Sequence, residues 1–289
     1  MARKSVNAQK AIAKKSSKLS VFIITVVIAA IIIATLVVMA TREDQPAATE
    51  KPAVDKGATM AKEVSYEVVA SYPHDQKAFL QGLVWHDGVF YESTGQFGQS
   101  SLRRVEFPSG KVVRKIDLAD EYFGEGLAMV GDRLIQLTWQ THIGFVYERD
   151  TFRKVGEFKY PTEGWGLCYD GKYLILSDGS DTLTYMDATS FEPVKKLRVT
   201  MNNRAVRNLN ELEFIEGEIW ANVWHEDVVL RINTETGRVS SFLNLAGLHT
   251  SDAAAGGEDV LNGIAYDAAQ KRIFISGKLW PKIYEIKLK

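Results

Sequence analysis

Two hydrophobic patterns divide the chain. From Leu19 to Ala40 run 22 residues without a charge, apolar on every side of a helix. About 20 such residues span the ~30 Å hydrocarbon layer of a membrane, whereas a core helix of that length normally keeps a polar stripe. Beyond residue 63 the pattern breaks into short β-branched and aromatic runs. They are separated by turn signals such as Asp87-Gly88, Gly131-Asp132, Asp170-Gly171 and Glu216-Gly217. That pattern predicts strands joined by tight turns, with no amphipathic helix. Between the two, residues 41–63 are rich in Ala, Pro, Lys and Glu without apolar periodicity and read as a flexible linker.

The strands repeat. Five segments open alike: Gln81-Gly82-Leu83-Val84-Trp85, Glu125-Gly126-Leu127-Ala128-Met129, Trp165-Gly166-Leu167-Cys168-Tyr169, Asn210-Glu211-Leu212-Glu213-Phe214 and Asn262-Gly263-Ile264-Ala265-Tyr266. Their opening positions lie 44, 40, 45 and 52 residues apart. Each is followed by a turn and a second strand, and most by a third and fourth. Four strands per unit at that period predict a β-propeller. The fifth unit runs out of chain before its fourth strand, while a spare strand, 65–71, precedes the first. The expected fold is therefore all-β: a five-bladed β-propeller over 64–289 closed by an N-terminal strand, which removes free sheet edges. A single N-terminal transmembrane helix precedes it.

Charge sharpens this division. Residues 1–42 carry seven Lys/Arg and no acid, leaving 28 basic against 36 acidic residues in the remainder, a net charge of −8. Lys4, Lys10, Lys14, Lys15 and Lys18 precede the apolar run. The positive-inside rule makes 1–18 a basic cytoplasmic segment and 19–40 a signal anchor in the lipid bilayer, with the body on the non-cytoplasmic side, periplasmic or extracellular. Signal peptides share the basic flank but have an apolar region of about 7–15 residues; Val38-Met39-Ala40 leaves cleavage open. An acidic body without a basic cluster argues against nucleic acid as a partner. The single cysteine, Cys168, excludes an intramolecular disulfide, a Cys-type zinc site and a CxxC pair.

Equivalent positions of a propeller lie on one circle about its axis. The opening residues Gln81, Glu125, Trp165, Asn210 and Asn262 ring one mouth of the channel. Fourteen to sixteen residues later the second strands return to that mouth with Trp139, Trp224 and Lys278. One carboxylate, one ammonium, three amides and three indoles thus converge, as in a ligand pocket. The amides also suit a plain structural role as caps of inner strands, and Glu125 with Lys278 suits a salt bridge. Other chemistries lack their residues. The five histidines are scattered and none opens a repeat, there is no GxSxG, and the circles offer one carboxylate where a glycosidase needs two.

The body also resembles the plant and bacterial glutaminyl-peptide cyclotransferases, over about 64–289. The likeness rests on Ala78-Phe79-Leu80-Gln81-Gly82-Leu83, Tyr122-Phe123-Gly124-Glu125-Gly126-Leu127, Gly164-Trp165-Gly166-Leu167, Leu209-Asn210-Glu211-Leu212-Glu213, Trp220-Ala221-Asn222-Val223-Trp224 and Ser276-Gly277-Lys278-Leu279-Trp280-Pro281. The resemblance implies a five-bladed propeller, no catalytic metal and no cofactor. It also implies a pocket of Phe79, Gln81, Phe123, Glu125, Trp139, Trp165, Asn210, Trp224 and Lys278. Its implied activity is cyclisation of the N-terminal glutamine of a peptide or protein to pyroglutamate with loss of ammonia. In that reading Glu125 moves the proton, while Lys278 or Asn210 stabilises the oxyanion and Lys278 has the further option of tuning Glu125. The rival reading is a membrane-anchored propeller that binds peptides without turning them over.

Overall fold

The computed structural model describes residues 60–250 and 258–289. The expected basic segment 1–18, the membrane segment 19–40 and the linker up to residue 59 lie outside the described residues.

Among the described residues every regular element is a strand. Four blades are four-stranded antiparallel units in simple order. Blade I comprises Leu80–His86, Val89–Thr94, Ser101–Glu106 and Lys111–Asp117. Blade II comprises Gly124–Val130, Arg133–Thr138, Ile143–Glu148 and Lys154–Lys159. Blade III comprises Leu167–Tyr169, Tyr173–Leu176, Thr182–Asp187 and Pro193–Arg198. Blade IV comprises Leu209–Ile215, Glu218–Val223, Val228–Asn233 and Val239–Asn244. In blade V, Leu261–Asp267, Arg272–Gly277 and Lys282–Leu288 are joined by an outer strand from the other end of the body, Tyr66–Pro73, antiparallel to Lys282–Leu288. Lys62–Glu63 adds a short parallel edge to blade IV, against Ser241 and Phe242.

The sequence alternation explains where each strand sits. Second strands are buried almost throughout because both their faces meet a neighbouring blade; outer strands such as Lys111–Asp117 and Pro193–Arg198 are mostly exposed. Each blade-to-blade seam has its own apolar cluster. Tyr91, Leu102, Leu127 and Phe145 join blades I and II. Phe90, Val105, Ala265 and Phe274 join blades V and I. Asp87 and Gly88 both have positive φ, 46° and 79°, as a tight hairpin turn of opposite twist requires.

At the axis the inner strands touch in a closed circle, I–II–III–IV–V–I. Glycines make this approach possible. A Cβ on Gly126 would lie 2.6 Å from the backbone of Gly166 and Leu167, and one on Gly166 would lie 2.0 Å from the Asn210 carbonyl oxygen. Blade IV breaks the rule with Glu211. Its buried side chain crosses the axis and accepts the amides of Ile264 at 2.9 Å and Leu83 at 3.3 Å, satisfying N–H groups of blades V and I. The carboxyl is driven towards its neutral form first by burial and then by Glu213, against the pull of the two amides.

At the C-terminal ends of the inner strands opens a hollow of about 360 Å³, lined among others by Trp85, Met129, Tyr169 and Glu213. Glu213 accepts the Phe214 amide at 3.0 Å, but burial outweighs this and pushes its pKa from 4.5 up to about 8. A carboxyl whose folded pKa is raised stabilises the fold below its unfolded value, and that stability is lost as pH rises to the folded value. Stability is therefore expected to fall between about pH 4.5 and 8 by a few kcal/mol on this account. Glu213→Gln should flatten that part of a melting-temperature profile. Parallel profiles for wild type and variant would refute the assignment.

Candidate active site

At the opposite end of the axis lies a cavity of about 250 Å³ lined by Phe79, Gln81, Phe123, Glu125, Trp139, Trp165, Asn210, Trp224, Glu258 and Lys278. Its residues arrive there by one local device. In blades I, II, IV and V the inner hairpin shifts register at its opening residue: between Leu80 and Gly82, Gly124 and Leu127, Leu209 and Leu212, and Leu261 and Ile264. These bulges contain Gln81, Glu125, Asn210 and Asn262, and a bulge re-aims side chains at the rim of a sheet. Beyond each bulge one backbone bond closes the hairpin. Gly95 N donates to Phe79 O, Trp139 N to Phe123 O, Trp224 N to Asn208 O and Lys278 N to Val260 O, all at 2.8–2.9 Å. The second circle of side chains is thus pinned to the first.

Nine of the ten residues singled out from the sequence face this cavity. Asn262 does not. It is fully buried underneath, where its Nδ2 donates to Leu80 O at 2.9 Å and to Gln81 Oε1 at 3.2 Å. Gln81 Nε2 in turn donates to Glu125 Oε1 at 2.9 Å. Asn262 therefore belongs to the support of Gln81, because the bulge turns its side chain towards blade I rather than into the opening.

Aromatic rings form the walls. Phe79 and Phe123 meet edge to face at 6.0 Å, Phe123 and Trp139 at 5.6 Å, and Trp165 and Trp224 at 5.5 Å. The Phe123 ring needs Gly95, since a Cβ there would approach it to 2.2 Å. Lys278 and Glu125 are not in ion-pair contact. The ammonium lies 4.9 Å from the Phe79 ring centroid, a cation–π arrangement. Among the residues that line the cavity, the buried indole N–H of Trp224 has no hydrogen-bond partner.

Comparisons with known proteins bear on this site. The glutamine cyclotransferase family model matches residues 32–288. The glutaminyl-peptide cyclotransferase of Arabidopsis thaliana is 46% identical over 227 residues, 77% of this chain and 71% of that protein. The crystal structure of Myxococcus xanthus glutaminyl cyclase superposes with a TM-score of 0.72 at 37% identity, covering 79% of this chain and 98% of that one.

The chain belongs to the glutamine cyclotransferase family.

Electrostatics in this cyclotransferase centre on a carboxyl and an amine that are both 4% exposed. Burial pushes the Glu125 pKa well above the usual carboxylate range; Lys278 pulls it down and Glu163 pushes it up. Burial lowers Lys278, against Glu125 and Glu258, which raise it. Two of these acids were not singled out from the sequence. Glu258 lines the exposed rim, in the connection that stretches the last repeat to 52 residues. Glu163 lies just before the third repeat and holds indoles of two walls. Neither occupies a repeat position, so the circles could not reveal them. The length of the last interval was the one visible hint of an extra rim element.

Proposed function

We propose that this enzyme converts the N-terminal glutamine of peptides and proteins to pyroglutamate with release of ammonia, with Glu125 carrying the proton and no metal taking part. The observation that supports it best is Glu125 itself: a buried carboxyl, held by Gln81 at 2.9 Å and raised in pKa, on the floor of an aromatic cavity. The substrate's α-amine has a pKa of about 7.7–8.0. A carboxylate shifted up from its usual range is better matched to it as a base.

The reaction is intramolecular. The α-amine attacks the side-chain carboxamide carbon of the same residue, and folding the substrate back between aromatic walls supplies the orientation. Glu125 takes the proton from the attacking nitrogen and returns it to the departing one, so the carbon–nitrogen bond breaks to ammonia and the enzyme is regenerated. The oxyanion needs donors placed in advance. Lys278, the carboxamide of Asn210 and the unpartnered indole N–H of Trp224 are the candidates.

Incubating the full-length chain in detergent with a Gln-initiated dipeptide tests this reading. Ammonia release that is unaffected by a chelator is expected; no release counts against the activity, and release abolished by chelator counts against the metal-free route. N-terminal Gln should be strongly preferred over N-terminal Glu at pH 7, because an ionised carboxylate is a poor electrophile. An acetylated N-terminus should be inert.

The remaining expectations extend the proposal. Pairing of Tyr66–Pro73 with Lys282–Leu288 supports reading that strand as the closure of the ring. The uncharged run 19–40 behind five lysines supports an anchor in the bilayer, with the propeller on the non-cytoplasmic side.

A further inference from the structure

The three indoles of the cavity have unlike partners. Trp139 Nε1 and Trp165 Nε1 both donate to one oxygen, Oε2 of Glu163, at 2.8 and 3.0 Å. The other oxygen accepts Gln140 Nε2 at 3.1 Å. Trp224 Nε1 has no such acceptor. Trp139 follows the second strand of blade II and Trp165 opens blade III, so one carboxylate ties together walls from adjacent blades.

We propose that Glu163 is a positioning residue for the cyclisation, fixing the angle between the Trp139 and Trp165 walls and standing as a permanent negative charge behind them. The proposal rests on the function given above and adds to it a residue outside the cavity lining. A clamp of this kind restricts both rings, so little rotamer freedom is left to lose when substrate enters between them. It also divides the tryptophans by role. Two spend their N–H groups on architecture, which leaves the third free to donate to what binds.

Glu163 keeps its charge in place. Burial works against ionisation, but the Trp165, Gln140 and Trp139 donors and nearby His142 outweigh it and hold the carboxyl below its ordinary range. The charged groups acting on Glu125 are Lys278 and Glu163, of opposite effect, with burial the larger influence. Removing the Glu163 charge therefore makes Glu125 easier to ionise.

Turnover of a Gln-initiated dipeptide by the wild type is measured first, since its absence overturns the cyclisation reading and not the clamp. The clamp is then read without substrate, from acrylamide quenching of tryptophan fluorescence in the full-length chain. Glu163→Ala should increase quenching and raise KM about tenfold, the loss expected for one or two net hydrogen bonds. Glu163→Gln keeps an acceptor for the indoles and drops the charge. It should bring quenching and KM back towards wild type while the acidic limb of the kcat/KM profile moves to lower pH. A Glu163→Ala protein with wild-type quenching and KM, or a Glu163→Gln enzyme whose acidic limb has not moved, overturns the proposal.

Discussion

Replacing Glu125 with glutamine is expected to lower kcat by about 10²–10⁴-fold, the usual contribution of a positioned acid–base group, with little change in substrate affinity. The substitution keeps the size of the side chain and leaves an oxygen to accept Gln81 Nε2, which now lies 2.9 Å from Glu125 Oε1. What it removes is the ability to carry a proton between two nitrogens. The melting temperature should stay level or rise, because a carboxyl pushed up by burial is destabilising as pH climbs towards its folded value. A Glu125 with only a structural role makes the opposite forecast, a lowered melting temperature with kcat near wild type. A folded Glu125→Gln enzyme with more than about a tenth of wild-type kcat would refute the proton-carrier role, that residue then falling well short of acid–base magnitudes.

Glu211→Ala should act on the fold. The variant leaves the amides of Leu83 and Ile264 without their acceptor and opens a hole at the axis. Unsatisfied buried N–H groups and an unfilled cavity together predict a loss of roughly 3 kcal/mol or more. For a body of this size that is about 6–12 °C in melting temperature. Glu211→Gln keeps the volume but turns an N–H towards one of the two amides, so its loss should be smaller. Equal melting temperatures for wild type and Glu211→Ala would show that the crossing side chain is dispensable.

Both predictions concern residues whose positions, though not whose contacts, could be read from the sequence. The repeat was legible because propeller blades obey a local rule: Gln81-Gly82-Leu83 and its four counterparts place the inner strands, and polar openings beside glycine mark the bulges. Nearest-neighbour seams such as Phe90 with Phe274 follow once the blades are ordered. Long-range hydrogen bonds do not. Asn262 turns from the mouth to Leu80, 182 residues away, through a bond that no periodicity encodes. Glu211 departs from glycine in a visible way, but which amides it satisfies depends on how tightly five strands converge. Glu163 stands between repeats, where equivalence has nothing to say. Its role follows from two indoles that approach each other only after blades II and III are packed.

Glu211 also ties the ring together across its centre. One side chain from blade IV accepts amides of blades V and I at once, so three of the five inner strands share a single carboxyl. A motion that opens one of these three blades at the axis is therefore felt by the other two.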